Sequence, residues 1–244
     1  MDEKTYAAWR DAKIGQLLSQ ERYDFQDLCD VIVILRGEGG CPWDREQDHH
    51  SIRNGLIEEC YEVVEAIDRE DAVLLREELG DVLLQLVFHA DIEKDIGRFD
   101  IQDVANDECV KMIHRHPHVF GTVKADTSKE VLQNWEAIKT EEKQRVSLTD
   151  QLRAIPPMLP ALMRAQKIGK KLKTDDEVEL GDLCAQISQM LLSLSDAKEG
   201  ERGEQVGEIL FRMTALCRCM KVDAEEVLSA CSDRKIQACE NNSD

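Results

Sequence analysis

The chain has 244 residues, room for one large helical domain or two modest ones. Its 42% hydrophobic and 33% charged residues are the balance of a folded, core-forming protein rather than a disordered one. The net charge of -19 repels phosphate backbones and anionic lipid, so neither nucleic acid nor membrane is expected as a partner.

The opening Met1-Asp2-Glu3-Lys4 has no apolar run, and no stretch approaches the length of a membrane span. The nine cysteines are odd in number and scattered. Cys217 and Cys219 form CxC rather than CxxC, and no second pair stands at zinc-site spacing. A cytoplasmic protein with reduced thiols is expected.

Leu, Glu, Ala, Lys and Gln are plentiful, with only five prolines, and apolar residues recur at helical spacing throughout. The pattern predicts an all-α chain with helices over 5–20, 24–36, 50–69, 72–96, 101–115, 128–145, 158–173, 178–196, 203–220 and 223–238. Between the second and third, Gly37-Glu38-Gly39-Gly40 leads through Pro42 to Trp43. The glycines lack the Gly-Lys-Ser/Thr of a phosphate-binding P-loop. Trp43 is read as a loop residue that either stacks on a base or plugs a core.

The helices at 50–69 and 72–96 carry apolar stripes, Leu56, Cys60, Val63, Val64 and Ile67 on one, and Leu79, Val82, Leu83, Leu86, Val87 and Ala90 on the other. The short joint at Arg69-Glu70-Asp71 makes them an antiparallel pair that buries both stripes in a bundle. Acids accompany the stripes: Glu58, Glu59 and Glu62, then Glu78 and Asp81. Residues three apart share a helix face, so Glu59 with Glu62 and Glu78 with Asp81 are two acid pairs that the hairpin brings together. Converging carboxylates call for a cation, and Mg²⁺, hard and oxygen-seeking, fits best. The competing reading is an ordinary solvated acidic face.

Further along, Lys111 and Arg115 lie four apart on one helix. His114, His116 and His118 follow, but Pro117 ends the helix between the last two, which favours a structural turn over a metal cluster. The stretch from Ser147 to Pro160 reads as a linker.

Written as text, the acids are Glu58-Glu59-Cys60-Tyr61-Glu62 and Glu78-Leu79-Gly80-Asp81, that is EExxE followed by ExxD. This resembles the signature of the all-α nucleotide pyrophosphohydrolases. The segments Gly40-Cys41-Pro42-Trp43-Asp44-Arg45-Glu46-Gln47, Arg76-Glu77-Glu78-Leu79-Gly80-Asp81 and Arg115-His116-Pro117-His118-Val119-Phe120-Gly121 narrow the likeness to the MazG family. Asn134-Trp135-Glu136 with Lys139 is similar to that family's WExxK segment. The resemblance covers about 25–145.

It implies hydrolysis of a nucleoside triphosphate or deoxynucleoside triphosphate to the monophosphate and pyrophosphate. It implies Mg²⁺, with Mn²⁺ as the alternative, on Glu59, Glu62, Glu78 and Asp81. Glu58 would help position the water. Lys111 and Arg115 would hold the phosphate tail, with His116 and Trp43 near the substrate. His114 departs from the arginine common in the family. A homodimer is expected, the usual symmetric assembly. The competing function is a non-catalytic helical regulator that senses nucleotides or binds proteins.

Sliding the chain by 127 positions lays Glu77-Glu78-Leu79-Gly80-Asp81-Val82-Leu83 on Glu204-Gln205-Val206-Gly207-Glu208-Ile209-Leu210. Glu59 then falls on Gln186, Glu62 on Gln189, Glu78 on Gln205 and Asp81 on Glu208. The apolar positions survive while three acids become amides. The expectation is therefore tandem MazG-like bundles of four-helix type, a catalytic one at 1–147 and a degenerate one at 148–244.

Overall fold

A computed structural model describes residues 2–142, 147–173 and 178–241. Among them every regular element is helical, as the sequence predicts. The helices are α1 (Glu3–Ser19), α2 (Phe25–Arg36), α3 (Pro42–Glu46), α4 (His49–Asp68), α5 (Ala72–Asp95), α6 (Ile101–Arg115), α7 (Pro117–Phe120), α8 (Ser128–Glu142), α9 (Leu148–Arg153), α10 (Ala161–Leu172), α11 (Leu180–Ser193), α12 (Arg202–Cys219) and α13 (Ala224–Glu240). The chain divides into two compact units, Met1–Val131 and Leu132–Asp244.

Helix starts explain part of the acidity. Asp2, Asp24, Asp48, Asp71, Asp100 and Asp223 each cap a helix, their carboxylates accepting backbone N–H groups of the first turn. An acceptor there satisfies donors that have no partner inside the helix, and its charge suits the positive end of the helix dipole. At Asp24, Asp48 and Asp100 the bond is returned by the side chain three residues on.

In the first unit α5 is central, with α2, α4 and α6 packed on it. Cys29, Ile32, Ile52, Val87 and Phe88 form the buried core, flanked by Leu28, Leu35, Leu84, Ile92 and Ile101. The joint between α4 and α5 is tight. Glu70 turns the chain with a left-handed φ of 54°, and the Asp71 N–H reaches the Ala66 carbonyl at 3.1 Å. Each apolar stripe is only partly covered within the chain. Val87 and Ala90 are buried, but Val64, Ile67, Leu79 and Leu86 are exposed. The hairpin turns one part of its apolar surface to α2 and α6 and leaves the rest outward.

Polar groups clamp the far end of the same hairpin. Arg36 of α2 bonds Asp91 and, at 2.8 Å, Asp95, while its guanidinium lies 5.3 Å from the centre of the Phe88 ring. His49 at the start of α4 faces two residues of α5. Its Nδ1 is 2.8 Å from Nδ1 of His89, and its Nε2 is 2.7 Å from Glu93. Two nitrogens that close must share one proton, so only one of them donates.

In the second unit α12 is central and takes α10, α11 and α13. Leu183, Ile187 and Ala215 make its core. Gln166 stitches α10 to the turn before α13, donating to the Val222 carbonyl at 3.0 Å and accepting from the Ala224 N–H at 2.9 Å. Residues 147–160 are not the open linker expected. Ser147 caps α9, and Ile155 is buried behind it. The prolines end the helix without loosening the segment, because the apolar side chain between them and α9 still finds cover.

The histidine clamp carries a pH dependence. Burial, and then His49, hold the His89 pKa below its ordinary value of 6.5. The unfolded chain therefore binds the proton that the folded chain refuses, and stability present above that value is lost as pH falls through it. Glu93, held low first by its bond from His49, adds a further loss below its ordinary 4.5. Thermal melts should show the midpoint falling between about pH 7.5 and about pH 5.5. In His89→Gln that fall should shrink, and an undiminished fall would show that the histidine is not its cause.

Candidate functional site

The acids meet on the α4–α5 hairpin because both helices are regular and the joint is short. Antiparallel register sets Glu59 and Glu62 of α4 beside Glu78 and Asp81 of α5. Upstream, the same register brings Gly55 against Gln85, whose amide nitrogen would lie 2.9 Å from a Cβ added at the glycine. That close approach keeps the two helices near one another alongside the acids.

Glu59, Glu78 and Asp81 each offer a carboxylate oxygen within 4.8 Å of the others. Glu78 is buried, Glu59 and Asp81 half-buried. Glu62 is more exposed, and its charge adds to the field on both Glu59 and Glu78. Loss of hydration and the fields of neighbouring acids both favour the protonated form, so Glu59 and Glu78 hold protons more tightly than isolated acids do. The Glu59 pKa is raised by loss of hydration, then by the fields of Asp81 and Glu62. Glu78 is raised by loss of hydration, then by neighbouring Glu62. Unlike the solvated face of the competing reading, the cluster is partly desolvated, and its charges oppose one another.

A divalent ion fits this donor set. The oxygens are hard, come from both helices, and lie close enough to share one centre while leaving positions for water and phosphate. Among the described residues no other group of three His, Cys, Asp or Glu side chains converges in this way. Glu58 is exposed on α4, and its charge adds to the field on Glu59.

The remaining expected site residues are held by their own elements. Lys111 is half-buried and paired with Glu108, one turn earlier on α6. Arg115 closes α6 and is buried, 7% exposed, so it is not an exposed surface cation. His116 caps α6, and its Nδ1 donates to the Met112 carbonyl at 2.6 Å. Its ring lies 5.6 Å from that of His118, across the turn where Pro117 starts α7. Trp43 lies in α3 rather than in a loop and is 63% exposed, so it plugs no core. Pro42 at the first helical position explains that short helix, since its missing N–H would have had no partner there.

Sequence reasoning missed the polar set of Arg36, His49, His89, Asp91 and Glu93, of which the two acids are buried. The available signal was the pair of acids, Asp91 and Glu93, inside an otherwise apolar run on α5.

The second unit presents the corresponding hairpin, α11 with α12, with a different solution. At the positions matched to Glu59 and Asp81 stand Gln186 and Glu208, and Arg212 touches both. Its Nε is 3.4 Å from Glu208, and its Nη1 donates to Gln186 at 3.4 Å. A guanidinium of the chain itself supplies positive charge where the first hairpin gathers only acids.

The family model for the MazG nucleotide pyrophosphohydrolase domain matches residues 47–120, the stretch that contains the acid-bearing hairpin. Among curated proteins, the chain is 40% identical over 207 residues to the nucleoside triphosphate pyrophosphohydrolase/pyrophosphatase MazG of Thermotoga maritima, covering 84% of this chain and 79% of that one. It is likewise 40% identical over 205 residues to the nucleoside triphosphate pyrophosphohydrolase of Escherichia coli K12, covering 81% of this chain and 78% of that one. Bacillus subtilis YabN is 40% identical over 219 residues, but there the chain spans only 45% of the relative's length. With likeness of that depth across most of two MazG proteins, and with the matched domain lying over the converged carboxylates, this chain belongs to the MazG family of nucleotide pyrophosphohydrolases.

Proposed function

We propose that this chain hydrolyses nucleoside triphosphates, or their deoxy counterparts, to the monophosphate and pyrophosphate, using Mg²⁺ at Glu59, Glu62, Glu78 and Asp81. The observation that carries the reading is the convergence of Glu59, Glu78 and Asp81. A divalent ion held there would neutralise phosphate oxygens and acidify a bound water. Mn²⁺ has the same taste for oxygen ligands and is the expected substitute.

The protein's share is placement. Glu78, buried on α5, anchors the cluster from one helix, and Glu59 faces it from the other. Glu58, next to that centre, is assigned the positioning of the attacking water. Lys111 and Arg115 share a face of α6 and are assigned the phosphate tail. The Lys111 pair with Glu108 is a half-exposed ion pair, worth little, which a phosphate can displace. His116 is assigned a place near the substrate, and exposed Trp43 offers a face to a base. In the reaction the anhydride bond between the first and second phosphates breaks. Water contributes hydroxyl to one fragment, the other leaves with the bridging oxygen, and one proton is released.

A homodimer is part of the proposal. Ile57, Tyr61 and Val64 of α4, and Leu79, Leu83 and Leu86 of α5, are exposed at helical spacing on the same hairpin as the acids. Exposed apolar rows of this size favour a second copy over water. Residues 1–147 are read as the catalytic domain and 148–244 as a degenerate bundle, in which Arg212 stands in for an ion.

Two measurements test this reading. Glu59→Gln and Glu62→Gln should each lower pyrophosphate release from a mixed nucleoside triphosphate pool by roughly 100-fold or more with helical content unchanged. Nucleotide binding without turnover in the wild-type chain would instead favour a sensing role. Separately, Mg²⁺ at about a hundred times its Kd should stabilise the wild-type chain by about 2.7 kcal/mol in thermal melts. Glu78→Gln should lose that gain, and an equal gain in the variant would place the ion elsewhere.

A further inference from the structure

The second unit contains a cavity of about 370 Å³ whose charge is opposite to that of the chain. Lys167, Lys170 and Lys171 of α10 line it together with Lys139 of α8. The three on α10 stand at i, i+3 and i+4, hence on one face. Lys170 and Lys171 lie in the last turn of α10, where the helix dipole welcomes cations. That accounts for neither Lys167, a turn earlier, nor Lys139, brought from another helix.

Among the described residues, one acid lines the cavity, Glu136. It lies 3.8 Å from Lys139 and 3.5 Å from Lys171, both weak, half-exposed contacts. Among the described residues, one carboxylate against four ammonium groups leaves the lining with an excess of positive charge, in a chain whose net charge is -19. Like charges on neighbouring turns disfavour the helix unless an anion joins them. Beside the lysines, Ile155 and Pro156 form an apolar wall. Lysine ammonium groups suit phosphate oxygens as point charges with three donors each.

We infer that this cavity is a metal-independent binding site for a small polyphosphate, either inorganic pyrophosphate or the phosphate tail of a nucleotide. It shares no residue with the acid cluster, which cannot hold phosphate without a cation, so the inference stands or falls independently of the proposed reaction. A polyphosphate would bring together the cations of α8 and α10. A nucleotide would in addition lay its base on the apolar wall.

The test is calorimetric titration of the full chain in excess EDTA, which silences the acid cluster, with pyrophosphate and ATP as separate probes and adenosine as the phosphate-free control. Saturable binding of pyrophosphate or ATP, weakened by about tenfold or more in Lys167→Gln/Lys170→Gln and by added salt, is the expected result. Both lysines are exposed, so the variant should melt as the wild type does. Lys139→Gln gives a second, single-site check from the other helix. Glu78→Gln should leave this binding unchanged, which separates it from the acid cluster. Tighter binding of pyrophosphate would identify the free anion as ligand, and tighter binding of ATP the nucleotide. No binding in EDTA, undiminished binding in both lysine variants, or equal binding of adenosine would overturn the inference.

Discussion

Like charges gathered on a helical hairpin and partly stripped of water are costly until a cation joins them. That constraint organises the first unit. Glu59, Glu78 and Asp81 stay within reach of one another only because α4 and α5 lie in a fixed antiparallel register. The register is set at both ends. A tight turn through Glu70 and Asp71 closes one end, and the His49–His89–Glu93 contacts clamp the other. Between them, Gly55 lets Gln85 come close. The structure thus commits stability to holding a repulsive group, as sites that bind a charged ligand commonly do.

The proposed repeat would charge one plan in the first unit and discharge it in the second. In each, the longer helix of the hairpin packs on its partner and on two further helices, α5 on α4, α2 and α6, and α12 on α11, α10 and α13. At matched hairpin positions the first unit carries acids and the second carries amides, with one acid beside an arginine. The change from Glu59 to Gln186 keeps the side chain's shape and removes its charge. Arg212, on the position matched to Gln85, then bonds both Gln186 and Glu208. Apolar positions tolerate no such exchange without a cavity or an unsatisfied group, and so they persist in both halves.

Much of this was legible in the sequence, for identifiable reasons. Helix spacing, aspartate caps and the short joint at 69–71 determine the α4–α5 hairpin locally, and acids three apart then necessarily share a face. The burial of Ile155 was not legible, because prolines at 156 and 157 signal a break but do not report what the preceding side chain packs against. The exposure of Leu79 and Leu86 was not legible either. Apolar periodicity identifies a face that avoids water, not whether the same chain or another copy covers it. Trp43 posed the same ambiguity between core and surface, and only its position on α3 resolves it. The clamp at His49, His89 and Glu93 depends on residues about 40 apart, for which spacing within one helix carries no signal.

The central claim is that Glu59, Glu78 and Asp81 form one cation centre, and anomalous diffraction from crystals grown with Mn²⁺ tests it most directly. The account predicts an anomalous peak coordinated by carboxylate oxygens of both α4 and α5, with no equivalent peak between α11 and α12. Crystals saturated with Mn²⁺ in which these three side chains point apart into solvent, with every peak elsewhere, would contradict it.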